Sequence, residues 1–370
     1  MIEAIPDLAG FRAFFLDEFE ARAPEIEATD RIPAELLRRS AEIGAYCLTI
    51  PPEWGGFGLK ALEYLPYLEA SAMGPGAGRM LVHVTNGLWR PLVQFGAPEQ
   101  QRIAAQMATG DACVAFALTE RSGGPGSDLH SRAERSGSIW RVSGEKHLIT
   151  FADRADWFIL FAATGERGAL TAFLIPRATP GLEIDATQAT MGIHGTGHAW
   201  LRYDGMAVDD AYRLGEVGAG LDVVRSFLQY SILSLSTCMV GVAQRALDEA
   251  VAYAKRRVTF GKPIAERQAI QGHLALMQAD VAAARALVRS LAAAYDAGED
   301  IEPRAAAAKI FCLNMVGRVT DHALRVHGGY GYTKDAPIER IYRDARAFWF
   351  EEGTQEMQQL VVARDLLNAE

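Results

Sequence analysis

The stretch Phe116-Ala117-Leu118-Thr119-Glu120-Arg121-Ser122-Gly123-Gly124-Pro125-Gly126-Ser127-Asp128 marks where the chain changes texture. An apolar run of strand type ends in a loop dense in glycine and hydroxyls. Such a loop brings backbone N–H groups and Ser or Thr hydroxyls against a polar ring or a phosphate, although an ordinary hairpin loop has the same composition. Upstream, residues 1–112 read as helices: Phe11 to Ala23, Pro33 to Gly44, Ala61 to Ala72, Val82 to Phe95 and Glu99 to Thr109. Pro33 sits in a first turn and Gly44 at a stop. Ile50 to Gly58 is too rich in Gly and Pro for regular structure and reads as a loop.

Downstream, residues 113–217 carry short β-type runs: Val114 to Leu118, Ile139 to Val142, Trp157 to Ala162, Thr171 to Ile175 and Ala199 to Tyr203. No helix-length segment separates them, which predicts an antiparallel β-domain in place of βαβ units. After Leu221 the apolar period becomes helical again, through Val281 to Ala294 and Ala305 to Gly328, and predicts a bundle over 218–370. The expected fold is mainly α with a central β-domain, in the order helical, β, helical.

The composition is that of a globular chain: 370 residues, 49% hydrophobic and 22% charged. The net charge of −9 and the brevity of the longest basic run, Lys255-Arg256-Arg257, argue against a nucleic-acid surface. Four widely spaced cysteines, Cys47, Cys113, Cys238 and Cys312, form no CxxC pair and are expected to be reduced, as in the cytoplasm. The acidic N-terminus lacks the basic and apolar regions of a secretory leader, and no segment approaches the ~18 uninterrupted apolar residues of a membrane span.

The GxGxxG, P-loop, HExxH and GxSxG signatures are absent. His194 and His198 lie four apart, but in a Gly-rich segment without a carboxylate at ligand spacing, so no metal is expected. A second glycine-rich segment, His327-Gly328-Gly329-Tyr330-Gly331-Tyr332, interrupts the helical region. It is followed by Glu339 to Ala345 and by Glu351-Glu352-Gly353-Thr354. Glycines there permit close backbone approach to a ligand, with carboxylates downstream.

Taken in order, these segments resemble the acyl-CoA dehydrogenase family over nearly the whole chain. The resemblance rests on Pro51 to Gly58, Phe95 to Gln100, Leu118-Thr119-Glu120 with Gly126-Ser127-Asp128, and Gly144-Glu145-Lys146 leading to Ile149-Thr150. It continues through Arg257 to Ile264, Gln268, Gly328 to Tyr332, Arg343-Asp344-Ala345 and Glu352-Gly353-Thr354. It implies an N-terminal helical domain, a middle β-domain and a C-terminal four-helix bundle, with FAD between them and against a neighbouring subunit of a dimer or tetramer. The implied reaction removes an α-proton and a β-hydride from an acyl thioester, on CoA or on an acyl-carrier protein, with electron-transfer flavoprotein as electron acceptor.

An α C–H beside a thioester is a weak acid, so this chemistry needs a positioned carboxylate and hydrogen bonds to the carbonyl. By resemblance Glu352 is that base, and its N–H donates to the carbonyl. Phe116, Leu118, Thr119, Ser127, Ile149 and Thr150 would lie by the flavin ring. Arg257, Phe260, Gln268, Arg325, Gly328, Gly329, Thr354 and Glu356 would hold the rest of the FAD, Arg257 at the pyrophosphate of an adjacent subunit. Ser127, Arg225, Glu351 and Gly353 would border the substrate.

Several positions depart from the pattern. Leu148 stands where many relatives have Trp, Phe151-Ala152 where they have Asn-Gly, Arg121 replaces a Pro in a loop two residues longer, and Arg325 replaces a Gln. Glu351 replaces a frequent Tyr and is expected to face solvent, because neighbours on a helix diverge by about 100°. Ile232 falls where relatives carry an Arg for the CoA arm, which Arg225 can replace or which a carrier-protein substrate would not need. Two alternatives remain: a flavin oxidase or monooxygenase on the same fold, which Glu352 disfavours in its monooxygenase form, and a bundle that has lost its chemistry.

Overall fold

Punctuation by Pro and Gly divides the N-terminal region of the computed structural model, which describes residues 4–121, 129–165, 169–185 and 187–368. Its helices are α1 (Leu8–Ala13), continued by a π-helical stretch Phe14–Phe19, α2 (Ala23–Thr29), α3 (Ala34–Glu42), α4 (Ala61–Ala72), α5 (Gly76–Phe95), α6 (Pro98–Gln101) and α7 (Ile103–Thr109). The expected helix Phe11 to Ala23 is therefore broken, and α5 starts six residues before its expected Val82. α2 ends on Asp30 and α7 on Gly110, both in the left-handed conformation that closes helices.

The middle strands are β1 (Val114–Ala117), β2 (Arg132–Ser136), β3 (Ile139–Ile149), β4 (Trp157–Thr164), β5 (Ala169–Pro176), β6 (Glu183–Ile184), β7 (Ala199–Asp209) and β8 (Arg213–Leu214). They form one sheet in the order β6-β7-β3-β2-β4-β5-β8, with β1 also on β4. The sheet is mixed, which corrects the antiparallel expectation: β1 and β2 both pair with β4 in parallel, Val114 opposite Trp157 and Arg132 opposite Ala163. Alternate residues of β4 divide the core, as the period of two requires. Ile159 and Phe161 pack toward Leu88 and Leu92 of α5, while Phe158 and Leu160 join Trp140, Leu201 and Tyr203 on the opposite face.

The C-terminal region holds α8 (Gly220–Arg256), a small hairpin β9 (Val258–Thr259) and β10 (Lys262–Pro263), α9 (Gln268–Asp296), α10 (Glu302–His327), α11 (Pro337–Arg346) and α12 (Gln355–Asn368). α8 is long and apolar enough to cross a membrane by length and composition, but 78% of its apolar window is buried inside the bundle. It packs on α10, α4, α9 and α5, and a helix apolar on all sides takes such a central place.

Buried polar groups tie the three regions together. The Asp344 carboxylate of α11 accepts from Gly76 N–H at the start of α5 (3.0 Å) and from Ile193 N–H after β6 (2.6 Å). Burial raises its pKa, so these N–H donors and nearby Arg340 are what support the ionised form. Asp296 at the end of α9 accepts from Ala61 and Leu62 N–H, satisfying the orphan donors at the start of α4.

Candidate active site

The segment Glu351-Glu352-Gly353-Thr354 joins a 3₁₀ turn after α11 to α12. Glu352 has φ +52° and Gly353 φ +84°, two consecutive left-handed residues. Glycine adopts that conformation freely, whereas a glutamate needs outside restraint. Lys309 of α10 supplies it: the fully buried ammonium donates to the carbonyls of Glu351, Glu352 and Gly353, and Gln358 Nε2 donates to the Glu352 carbonyl at 3.1 Å. Burial pushes Lys309 down to about 8, against the opposing pull of Glu352 and Glu351. Among the described residues, the Glu352 N–H donates to no protein acceptor.

Glu351 does not face solvent. Its carboxylate takes a bidentate pair from Arg79 of α5, Nη1 to Oε2 at 3.0 Å and Nη2 to Oε1 at 2.7 Å, with Arg79 fully buried and over the Phe348 ring at 4.1 Å. The expectation assumed helical neighbours, but the turn is not helical at this point. Burial pushes the Glu351 carboxyl up, yet the Arg79 guanidinium outweighs it and holds the group below its usual range. The two adjacent carboxylates therefore have different jobs. Glu351 is spent on Arg79, while Glu352 points toward α5, its Oε1 3.6 Å from His83 Nε2.

The residues that the resemblance assigns to a flavin ring gather at the ends of β1 and β3. Leu118 and Ile149 are buried, Thr119 is exposed, Thr150 is half-buried, and Phe116 packs between Phe161 and Phe227 at 4.9 and 5.0 Å. A buried ion pair pins these strand ends. Lys146 Nζ lies 2.8 Å from Glu120 Oε1 and 3.0 Å from the Leu118 carbonyl, and Glu120 also accepts from Ser131 N–H at 3.1 Å. Burial lowers Lys146 to about 8 despite the attraction of Glu120. Between Lys146 and Ile149 the pairing of β3 with β7 slips, and there Leu148 takes φ +55° with its side chain 42% exposed. Ser127 lies outside the described residues.

A second group collects at the far end of the bundle. Arg257 caps α8 and is exposed, Phe260 stands at the hairpin tip 98% exposed with φ +47°, and Gln268 opens α9. Gly328 and Gly329 have no atom within 4 Å of where a Cβ would sit. Arg325, exposed nearby, pairs with Asp321 at 2.9 Å. Gly328 takes φ +59° where α10 ends, a conformation that favours glycine. Thr354 has a local task, accepting from Met357 N–H at 3.5 Å as the cap of α12, with Glu356 in the first turn held below its usual range by its own N–H and the Thr354 hydroxyl.

Arg225 is exposed and 3.7 Å from Asp222, whereas Ile232, two turns on, packs half-buried against the core. Arg79, His83 and Lys309 were not singled out by sequence reasoning. Their signal was available: charged or polar residues at core-facing positions of otherwise apolar helices, Arg79 and His83 one turn apart on α5 and Lys309 among Ala305, Ala308 and Cys312 on α10.

The family domains occur in order along the chain, the acyl-CoA dehydrogenase N-terminal domain over 8–111, the middle domain over 115–206 and the C-terminal domain over 218–367. The chain belongs to the acyl-CoA dehydrogenase family. It is similar to the 3-(aryl)acrylate reductase of Clostridium sporogenes, with 35% identity over 365 residues and 96% of each chain covered. The butyryl-CoA dehydrogenase of Megasphaera elsdenii shares the fold with a TM-score of 0.92 and 29% identity over 100% of both chains. A prolyl acyl carrier protein oxidase gives a TM-score of 0.88 at 26% identity, covering 97% of this chain and 98% of that one. As a member of this family of flavoproteins, the protein is an oxidoreductase acting on CH–CH groups.

Proposed function

We propose that the protein dehydrogenates an acyl thioester to its trans-2-enoyl form, with Glu352 removing the α-proton. The observation that carries this reading is the turn itself: Glu352 in a left-handed conformation, its carbonyl and those of Glu351 and Gly353 gripped by Lys309, and its neighbour Glu351 neutralised by Arg79. That arrangement leaves one carboxylate uncommitted to a cation and one N–H uncommitted to an acceptor, the pair needed to take an α-proton and to polarise the thioester carbonyl. FAD, when bound, supplies the acceptor for the β-hydride. Thr119, Thr150, Leu118, Ile149 and Phe116 would hold its ring, Ser127 would lie beside it, and Arg257, Phe260, Gln268, Arg325, Gly328 and Gly329 would hold its remainder across a subunit boundary, with Thr354 and Glu356 at the edge. The exposed Phe260 and the open glycines support that assignment and a homo-oligomer.

The same residues serve the reverse direction, in which protonated Glu352 returns the α-proton. The related 3-(aryl)acrylate reductase is named for reduction of such a double bond. Ile232, packed into the bundle where a cation for the CoA phosphates would be expected, favours an acyl group borne on a carrier-protein phosphopantetheine arm. The similar prolyl acyl carrier protein oxidase is named for such a substrate. Electron-transfer flavoprotein is the proposed acceptor, and the exposed Leu148 favours oxygen as a second acceptor.

The test is anaerobic bleaching of the yellow holoenzyme by one acyl chain offered on CoA and on a carrier protein, with peroxide measured in air. Bleaching, faster on the carrier protein, is expected. A colourless protein that takes up no FAD, or one bleached by no thioester, overturns the dehydrogenase reading; equal or faster turnover on CoA overturns the carrier preference.

A further inference from the structure

One side chain of the N-terminal domain approaches the Glu352 carboxylate without being committed to another charge. His83, on α5, is 3% exposed. Its Nε2 lies 2.9 Å from Ser231 Oγ of α8 and 3.6 Å from Glu352 Oε1, while its buried Nδ1 has no hydrogen-bond partner. The edge of Phe227, also on α8, covers the ring at 6.4 Å between centroids.

The other charged and titratable groups around the turn are engaged elsewhere. Both Arg79 Nη atoms serve Glu351, and Lys309 serves three carbonyls. His198, from the loop before β7, is bonded through Nδ1 to Thr196 Oγ1 at 3.0 Å, with Glu351, Asp30 and Arg79 as its charged neighbours.

The tautomer of His83 follows from these contacts. A proton on Nδ1 would bury an unpaired donor and turn the Nε2 lone pair toward a carboxylate, two unfavourable terms. A proton on Nε2 leaves only an unpaired acceptor and places a donor between Ser231 Oγ and Glu352 Oε1. The Glu352 oxygen lies just beyond hydrogen-bond distance of that N–H, which is bonded to Ser231 and attracts the carboxylate through its dipole.

We propose that His83 is a positioning residue for the α-proton base: its Nε2–H, held by Ser231, faces the Glu352 carboxylate across 3.6 Å and aims it. This inference rests on the reading of Glu352 as the base. Removing the donor leaves the carboxylate without that aim, so proton removal slows.

The test is exchange of the α-hydrogens of a 3-thia-acyl thioester, offered on CoA and on a carrier protein, into D2O on the holoenzyme, followed by mass spectrometry. The sulfur in place of the β-carbon removes hydride transfer from the measurement. His83→Ala is expected to slow exchange at least about tenfold, within the range for a displaced general base. His83→Gln, whose amide places a donor where Nε2 stood, is expected to exchange within about threefold of wild type. Exchange by His83→Ala at the wild-type rate overturns the proposal. So does slower exchange with no rescue by Gln, which is what loss of packing alone produces. Glu352→Gln exchanging as fast as wild type overturns the base assignment and this proposal with it, an outcome distinct from the first two.

Discussion

Breaking the Arg79–Glu351 pair one side at a time separates structure from chemistry at the Glu351–Thr354 turn. Arg79 is fully buried and Glu351 is 16% exposed at its side chain, with two hydrogen bonds of 2.7 and 3.0 Å between them. Removing one partner strands a buried charge, which costs about 3–5 kcal/mol, whereas replacing both by apolar groups is close to neutral. Arg79→Met and Glu351→Leu are each expected to destabilise the holoenzyme by about 3 kcal/mol, the lower end because Glu351 retains some solvent. The double variant should lie within about 2 kcal/mol of wild type, so the double-mutant cycle has a coupling of at least about 4 kcal/mol. Equilibrium urea unfolding followed by tryptophan fluorescence measures all four proteins. Single variants that cost under about 1 kcal/mol, or effects that add within about 0.5 kcal/mol, would refute the view that this pair anchors the turn.

Three further outcomes follow from the same geometry. Lys309→Met takes the ammonium donor from the Glu351 and Gly353 carbonyls, the Glu352 carbonyl keeping Gln358, and should lower stability by roughly 2 kcal/mol, with turnover falling as well because the left-handed Glu352 loses part of its restraint; unfolding and steady-state rates check it. Glu27 is held down to about 2 from 4.5, burial opposing while His194 and Arg343 pull it lower. Its stabilising contribution is therefore complete above pH 4.5 and lost as pH falls toward 2. Because the side chain keeps 21% of its exposure and its partners are partly solvated, the contribution is discounted to about 1–2 kcal/mol, so the stability gap between wild type and Glu27→Gln should close over that window. Arg257→Gln should weaken FAD retention at least about tenfold by equilibrium dialysis while leaving the unfolding of FAD-free protein unchanged, since the exposed side chain has no ion pair among the described residues.

The order of helical, β and helical regions was legible because the apolar period changes near Cys113 and again near Leu221. Strand β2 was not: Arg132-Ala133-Glu134-Arg135-Ser136 buries only Ala133, so it carries no apolar alternation. Nor does periodicity encode partners, which is why the parallel pairing of β1 and β2 with β4 went unread. Glu351 was misread for a related reason. The partner that buries it is 272 residues away, and the turn that aims it is set by two left-handed residues where a helix had been assumed. The position of Glu352 was legible only through resemblance, since a Glu-Glu-Gly-Thr run has no chemistry of its own until α5 and α10 close around it.

The most direct test of the account is the rate of anaerobic flavin bleaching by a saturating acyl thioester in single turnover, compared between Glu352→Gln and Glu351→Gln. Glu352→Gln is expected to keep its FAD and lose at least ~10² in rate, while Glu351→Gln loses far less, its carboxylate being spent on Arg79. Bleaching that survives Glu352→Gln but is abolished by Glu351→Gln would contradict the assignment of the base.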